Sequence, residues 1–266
     1  MTRLAIIGNS HVGAIKRAWD VAPRPEGIEL AFFALPQIHL RQFRLNRKLL
    51  RFAAGPDASA REDFMRMVTQ VNGAPSIDLG GFDAVMLYGG TTLQAEIVRL
   101  MNDYDIDGLR AAGAPRRMSR PAFDAVLAGL AEISLPRPFW RGTRIPRFAV
   151  FPRPIPSAGA TTSDSPHFSG WARIAARPDG AREIFDLHFA AMAAAHARKG
   201  IDFLRQPAAT LEPNGLTNAI FTKGSTRLRA NRPHPATDFG HMNARYGALC
   251  LERIFDWAAR PALAPA

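Results

Sequence analysis

An α/β fold built on a parallel sheet is predicted by three features of this 266-residue chain. Residues 4–7, Leu-Ala-Ile-Ile, form a continuous apolar run stopped by Gly8 and followed by a helical pattern through Trp19. That is the signature of a βα unit whose strand is buried on both faces. The same order recurs where residues 83–88 run into Gly89-Gly90-Thr91-Thr92 and a helical stretch from Leu93. Further apolar runs at 28–35, 147–151 and 201–205 alternate with helical periodicities at 121–133 and 182–199, as repeated βα units require.

In chain order, the run at 28–35 is a second strand ended by Pro36. Residues 37–52 interleave Arg41, Arg44, Arg47, Lys48 and Arg51 with Leu40, Phe43, Leu45, Leu49 and Leu50. Their spacing predicts a basic amphipathic helix or arm, either a solvated face or an anion site. A helix or short meander around 64–71 and a loop lead to the strand at 83–88. Residues 103–120 read as a basic loop, and 121–133 as a helix with Ser119 at its cap. A cationic cluster at 137–147 includes Arg141 and Arg144, and the strand at 147–151 leaves through Pro152-Arg153-Pro154-Ile155-Pro156. Such an exit is rigid and non-helical. Residues 157–180 read as a long surface excursion of the length that often carries function. In the helix at 182–199, His188 and His196 stand two turns apart and read as surface or packing histidines. An extended loop at 216–229 precedes a last helix whose apolar face holds Leu249, Leu251, Ile254, Phe255 and Trp257. No domain boundary is visible, so 1–260 is expected to be one domain and 261–266 a short tail.

Lys and Arg outnumber Asp and Glu by 34 to 23, a formal charge of +11. This favours anionic partners, and Arg41, Arg44, Arg47, Arg141 and Arg144 are the residues expected to meet them. Nucleic acid is not expected among those partners. Cys250 is the single cysteine, which excludes an internal disulfide; in its apolar helical run it reads as a buried structural thiol. The first residues lack a signal-peptide pattern, and no apolar run approaches the roughly 18 residues of a membrane span. A cytoplasmic location is expected. The seven histidines are scattered without helical metal spacing, so neither a metal nor a cofactor is expected.

Two short constellations carry the chemistry. In parallel sheets ligands bind beyond the carboxyl ends of the strands. Ser10 lies there, beside a helix start whose free N–H groups favour negative charge. It reads as a nucleophile or as a helix cap. Gly8 and Gly13 also admit a nucleotide-binding turn, but their spacing fits neither the dinucleotide nor the P-loop pattern. Near the other end, Asp238 and His241 stand three apart just before the last helix. The carboxylate can orient the imidazole and leave its other nitrogen free as a base; capping by Asp238 is the alternative.

Together these blocks resemble the SGNH (GDSL-type) hydrolase superfamily. Gly8-Asn9-Ser10-His11 stands where that family has Gly-Asp-Ser, often with His, and Asp238 and His241 match its Asp-x-x-His. The strand ending at Gly89-Gly90 and the strand leaving through prolines fit the order between them. The resemblance implies a three-layer α/β/α sandwich with a five-stranded, parallel, flavodoxin-like sheet. It implies Ser10 as nucleophile, His241 as general base and acid, and Asp238 as the orienting carboxylate. The oxyanion hole would use Ser10, Gly90 and Thr91, with Gly8, Asn9 and His11 as neighbours of the nucleophile. The reaction would be acyl transfer, as an esterase, a deacetylase or an O-acyltransferase, with an O-acylated carbohydrate or small-molecule ester as substrate. Asn9 departs from the family's Asp, and Thr91 stands where it has an oxyanion Asn. The glycine of its second block has no clear counterpart, Gly55 being a poor one. The competing expectation is a weak or inactive member of the fold that binds an anionic polymer or saccharide.

Overall fold

Five strands make the central sheet: β1 (Thr2–Gly8), β2 (Ile28–Ala34), β3 (Ala84–Gly90), β4 (Phe148–Pro152) and β5 (Asp202–Phe203). All neighbours run parallel, in the order β5-β4-β3-β1-β2. This is the predicted doubly wound arrangement, and its direction reverses between β1 and β3, where a crevice opens. The computed structural model describes residues 1–136, 145, 147–228 and 232–260. The predicted cations Arg141 and Arg144 and the tail at 261–266 lie outside them.

Alternation along β1 builds the layers. Leu4 and Ile6 point to one face, where α1 (Val12–Val21) and α6 (Ala244–Ala259) bring Trp19, Tyr246, Cys250 and Ile254. Ala5 and Ile7 point to the other, where α2 (Glu62–Asn72) brings Phe64, Met67 and Val68. A third cluster joins α3 (Gln94–Asp103), α4 (Arg120–Ile133) and α5 (Ala181–Ala197), completing the α/β/α sandwich. Leu4, Ile6 and Ile7 are wholly buried, each contributing roughly 1.5–3 kcal/mol. A Cβ at Gly8 would strike the Tyr88 carbonyl of β3, so the strand end must be glycine to lie this close.

Four readings of the sequence are corrected. Residues 37–52 are not a helix: after the short helix Gln37–Leu40, strands Phe43–Asn46 and Arg51–Ala54 form an antiparallel hairpin that continues to Ser76–Asp78. Phe43 faces inward and Arg44 outward, a period of two that the leucine spacing concealed. Asn46 Oδ1 accepts the N–H groups of Lys48 and Leu49 and so turns the hairpin. Residues 103–120 are not all loop, because Tyr104–Ile106 and Arg116–Met118 pair in parallel. The excursion at 157–180 folds inward, burying Trp171 against Phe185. Arg147, at the end of the cationic cluster read at 137–147, is a packing residue: its side chain, 12% exposed, lies over Trp257, pairs with Asp202 at 3.8 Å and donates to the end of α6. The helices at 120–133 and 181–197 and the last strand form as expected, and His188 and His196 are buried packing residues. Burial pushes the Cys250 thiol up to about 12, which keeps it protonated and inert. Among the described residues no helix is long and apolar enough to cross a membrane.

Candidate active site

Asn9, almost fully buried, fastens the two strand ends that flank the crevice. Its Nδ2 donates to the Gly89 carbonyl at 2.7 Å, and its Oδ1 accepts the His11 amide at 3.1 Å. A carboxylate has no hydrogen for the first bond, which explains Asn where the resembled family has Asp. Gly89 stands at φ 77, and a side chain there would strike Asn9.

Ser10 does not cap α1. Residue 11 holds the cap position without a side-chain bond, while Ser10 Oγ lies 2.8 Å from His241 Nε2. Nor does Asp238 cap α6; Asn243 does, accepting the Tyr246 amide at 3.2 Å. Asp238 instead closes its own turn, accepting the Gly240 and His241 amides at 3.1 and 3.0 Å. Its other oxygen faces His241 Nδ1 at 2.8 Å. With Asp238 ionised, that Nδ1 must donate, so Nε2 presents a lone pair to the Ser10 hydroxyl. Ser10, His241 and Asp238 are thus in one hydrogen-bonded line, although 231 residues separate the first two.

A second histidine shares the carboxylate. His234 Nδ1 lies 2.9 Å from Asp238 Oδ2. Burial alone would raise the Asp238 carboxyl, but bonds from His234 and His241 outweigh it and hold it far below its ordinary range. The His241 ring lies between two others: His234 at 4.1 Å and 9°, and His11 at 4.8 Å and 19°. Burial, with the His241 and Arg153 charges adding to it, holds His11 well below its ordinary value and therefore neutral. His234, Asp238 and His241 also place ligand atoms within 4.8 Å of one another. The expectation that no histidine stands at metal-ligand spacing missed this group.

The line of three divides two cavities. One, of about 700 Å³, is lined by Ser10, His11, Gln94, Arg153, Phe168 and Trp171 among others. The other, of about 320 Å³, is lined by Pro36, Val71 and Leu228, with Arg227 and Arg232 at its wall. Gly90 pairs with Pro152, and its carbonyl accepts the Arg153 amide at 3.2 Å. Thr91 is exposed and lines neither cavity. The side-chain amide in the cleft wall is that of Gln94, 1% exposed, whose Nε2 lies 3.3 Å from the Arg153 carbonyl. Gln94, Arg153 and His234 were not singled out for chemistry in the sequence. Only His234 left a signal there, its i, i+4 spacing to Asp238. Of the predicted anion-site cations, Arg41 and Arg44 share a separate surface cavity of about 300 Å³ with Arg61, and Arg47 does not line it.

No protein-family model and no curated protein sequence matches the chain. Among solved structures it is similar to an extracellular lipase from Streptomyces rimosus, at 13% identity and a TM-score of 0.41, over 97% of this chain and 100% of that one. It is also similar to the periplasmic domain of a lipopolysaccharide acetyltransferase from Salmonella ser. Paratyphi A, at 10% identity and 0.41, over 97% and 84%. A DUF4886 family protein from Bacteroides uniformis matches at 12% identity and 0.37, over 94% and 80%.

Proposed function

We propose that the protein is a serine-dependent acyl ester hydrolase or O-acyltransferase. The observation that carries this reading is the line Ser10 Oγ to His241 Nε2 at 2.8 Å and His241 Nδ1 to Asp238 at 2.8 Å. In the first step His241 Nε2 takes the Ser10 proton as Oγ attacks the ester carbonyl. Asp238 orients the ring and stabilises the imidazolium. Collapse of the tetrahedral intermediate expels the alcohol, which takes the proton from Nε2 and leaves an acyl-serine. Water or an acceptor hydroxyl, deprotonated by the same nitrogen, then releases the acyl group. The amide of Ser10 is the proposed backbone donor to the oxyanion; the Gly90 amide, also expected there, is held in the β3–β4 ladder opposite Pro152. Gln94 supplies the amide side chain that Thr91, exposed, is badly placed to replace. Phe168 and Trp171 give the larger cavity an apolar wall suited to a saccharide ring bearing the ester.

A burst of 4-nitrophenol from 4-nitrophenyl acetate, equal to the enzyme present and absent from Ser10→Ala, is the expected result. Turnover that survives Ser10→Ala overturns the reading. The second reading, an inactive fold that binds an anionic polymer, draws on the cavity shared by Arg41, Arg44 and Arg61. It predicts no turnover and an affinity for such a polymer that falls steeply with salt.

A further inference from the structure

We propose that Arg153 forms an anion-binding subsite in the Ser10 cleft, so that the molecule bound there carries a carboxylate or phosphate. This rests on, and narrows, the acyl-transfer reading. Arg153 leaves β4 between Pro152 and Pro154, whose rings restrict the backbone. Its amide donates to Gly90, its carbonyl faces Gln94 Nε2 at 3.3 Å, and its Nε lies 3.4 Å from Thr92 Oγ1. The side chain is therefore held in the wall of the same cavity as Ser10.

Among the described residues its guanidinium meets no carboxylate, in contrast to Arg3, Arg117, Arg120, Arg182 and Arg198. A half-buried cation without a counter-ion carries a desolvation cost. An anionic ligand in the cleft removes that cost. Asp238 is the one acid among the residues lining this cavity, and its oxygens already accept from His234, His241 and two amides. It does not compete for the guanidinium.

One neighbour in the wall has the same polarity, and a second offers an unpaired polar atom. The ten-residue helix α3 begins at Gln94, and its cap residue, Leu93, offers no side-chain acceptor. Gln94 and Ala95, at that start, line the cavity, where free N–H groups and the helix dipole favour an anion. His11, also in the wall, has a buried Nδ1 without a partner. Leu93 itself stands in the left-handed region at φ 50, a conformation that costs of order 1–3 kcal/mol.

The test is calorimetric titration of the Ser10→Ala protein with succinate and, separately, with inorganic phosphate. Saturable binding of at least one is expected, weakened about 10- to 100-fold by Arg153→Gln, the loss of charge-assisted hydrogen bonds. Arg153→Lys, which keeps the charge, is expected to retain more of it than Arg153→Gln. Whichever titrant binds identifies the class of anion. No binding of either, or binding that Arg153→Gln leaves unchanged, overturns the proposal; circular dichroism establishes that each variant is folded. On the Ser10 protein, the bound anion should inhibit 4-nitrophenyl acetate hydrolysis competitively. Because the titration needs no turnover, a protein that binds succinate through Arg153 yet hydrolyses nothing would refute acyl transfer and leave the subsite standing.

Discussion

The two strand ends at the crevice look alike in sequence and part company in structure. After β1, the chain passes Asn9, Ser10 and His11 and enters α1 at Val12, and the serine hydroxyl meets His241. Within the end of β3, Gly89 takes φ 77 and the register to β4 shifts, and Leu93 takes φ 50 before α3 opens at Gln94. Thr91 is thereby turned to solvent. Thr92 is buried, with its carbonyl 2.6 Å from His188 Nε2 and its hydroxyl beside Arg153. The first end presents a nucleophile; the second presents a helix start, an amide and a cation. Small residues after a strand permit either outcome, and backbone sign decides between them.

The largest effects should come from the first end and its partners. Ser10→Ala and His241→Ala should abolish ester turnover, and Asp238→Asn should lower kcat by about 10⁴-fold through the wrong imidazole tautomer. Steady-state rates on 4-nitrophenyl acetate check this, and a fully active Asp238→Asn would separate the residues that the geometry joins. At the second end, Gln94→Ala should cost about 10²–10³ in kcat, the effect of losing an oxyanion donor. Thr91→Ala should change kcat less than threefold, about 0.7 kcal/mol. The reverse ranking would restore Thr91 as the donor and break the contrast between the two ends.

Asn9→Asp tests the link between them. It removes the bond to the Gly89 carbonyl and sets a carboxylate against it, so thermal unfolding should show a loss of about 1–3 kcal/mol. An unchanged melting temperature would mean that the two ends are held together by other contacts. A last comparison concerns acid stability. Each end carries a histidine held below its ordinary 6.5, His11 and His188, with burial the first cause in both. Below pH 6.5 the unfolded chain binds protons that the folded one does not, so stability is complete above that pH and declines as pH falls beneath it. The decline is at most about 1.4 kcal/mol per pH unit for each histidine. His188→Asn should flatten the melting-temperature profile between pH 7 and 5.

Much of this was legible in the chain. The run at 4–7 before Gly8 marks a buried parallel strand, and that strand lies inside the observed sheet between β3 and β2, with Ser10 beyond its end. Asp238 and His241, three apart, do share a hydrogen bond. What was hidden has physical causes. Phe43 and Leu45 satisfy helical spacing with Leu40 and Leu49 as well as the strand alternation they adopt, and only pairing with residues 51–54 decides it. His234 sits between Pro233 and Pro235 and looks like loop until the chain turns it back onto Asp238. Gln94 and Arg153 are 59 apart in sequence, and nothing local announces that β3 and β4 bring them into one wall.

Fluorophosphonate labelling tests the central claim most directly. The reagent should label the protein at Ser10 alone, and Ser10→Ala and His241→Ala should both remain unlabelled while folded by circular dichroism. A folded Ser10 protein that resists the reagent, or one labelled equally after His241→Ala, would show that the hydrogen-bonded line from Ser10 to Asp238 does not activate the serine.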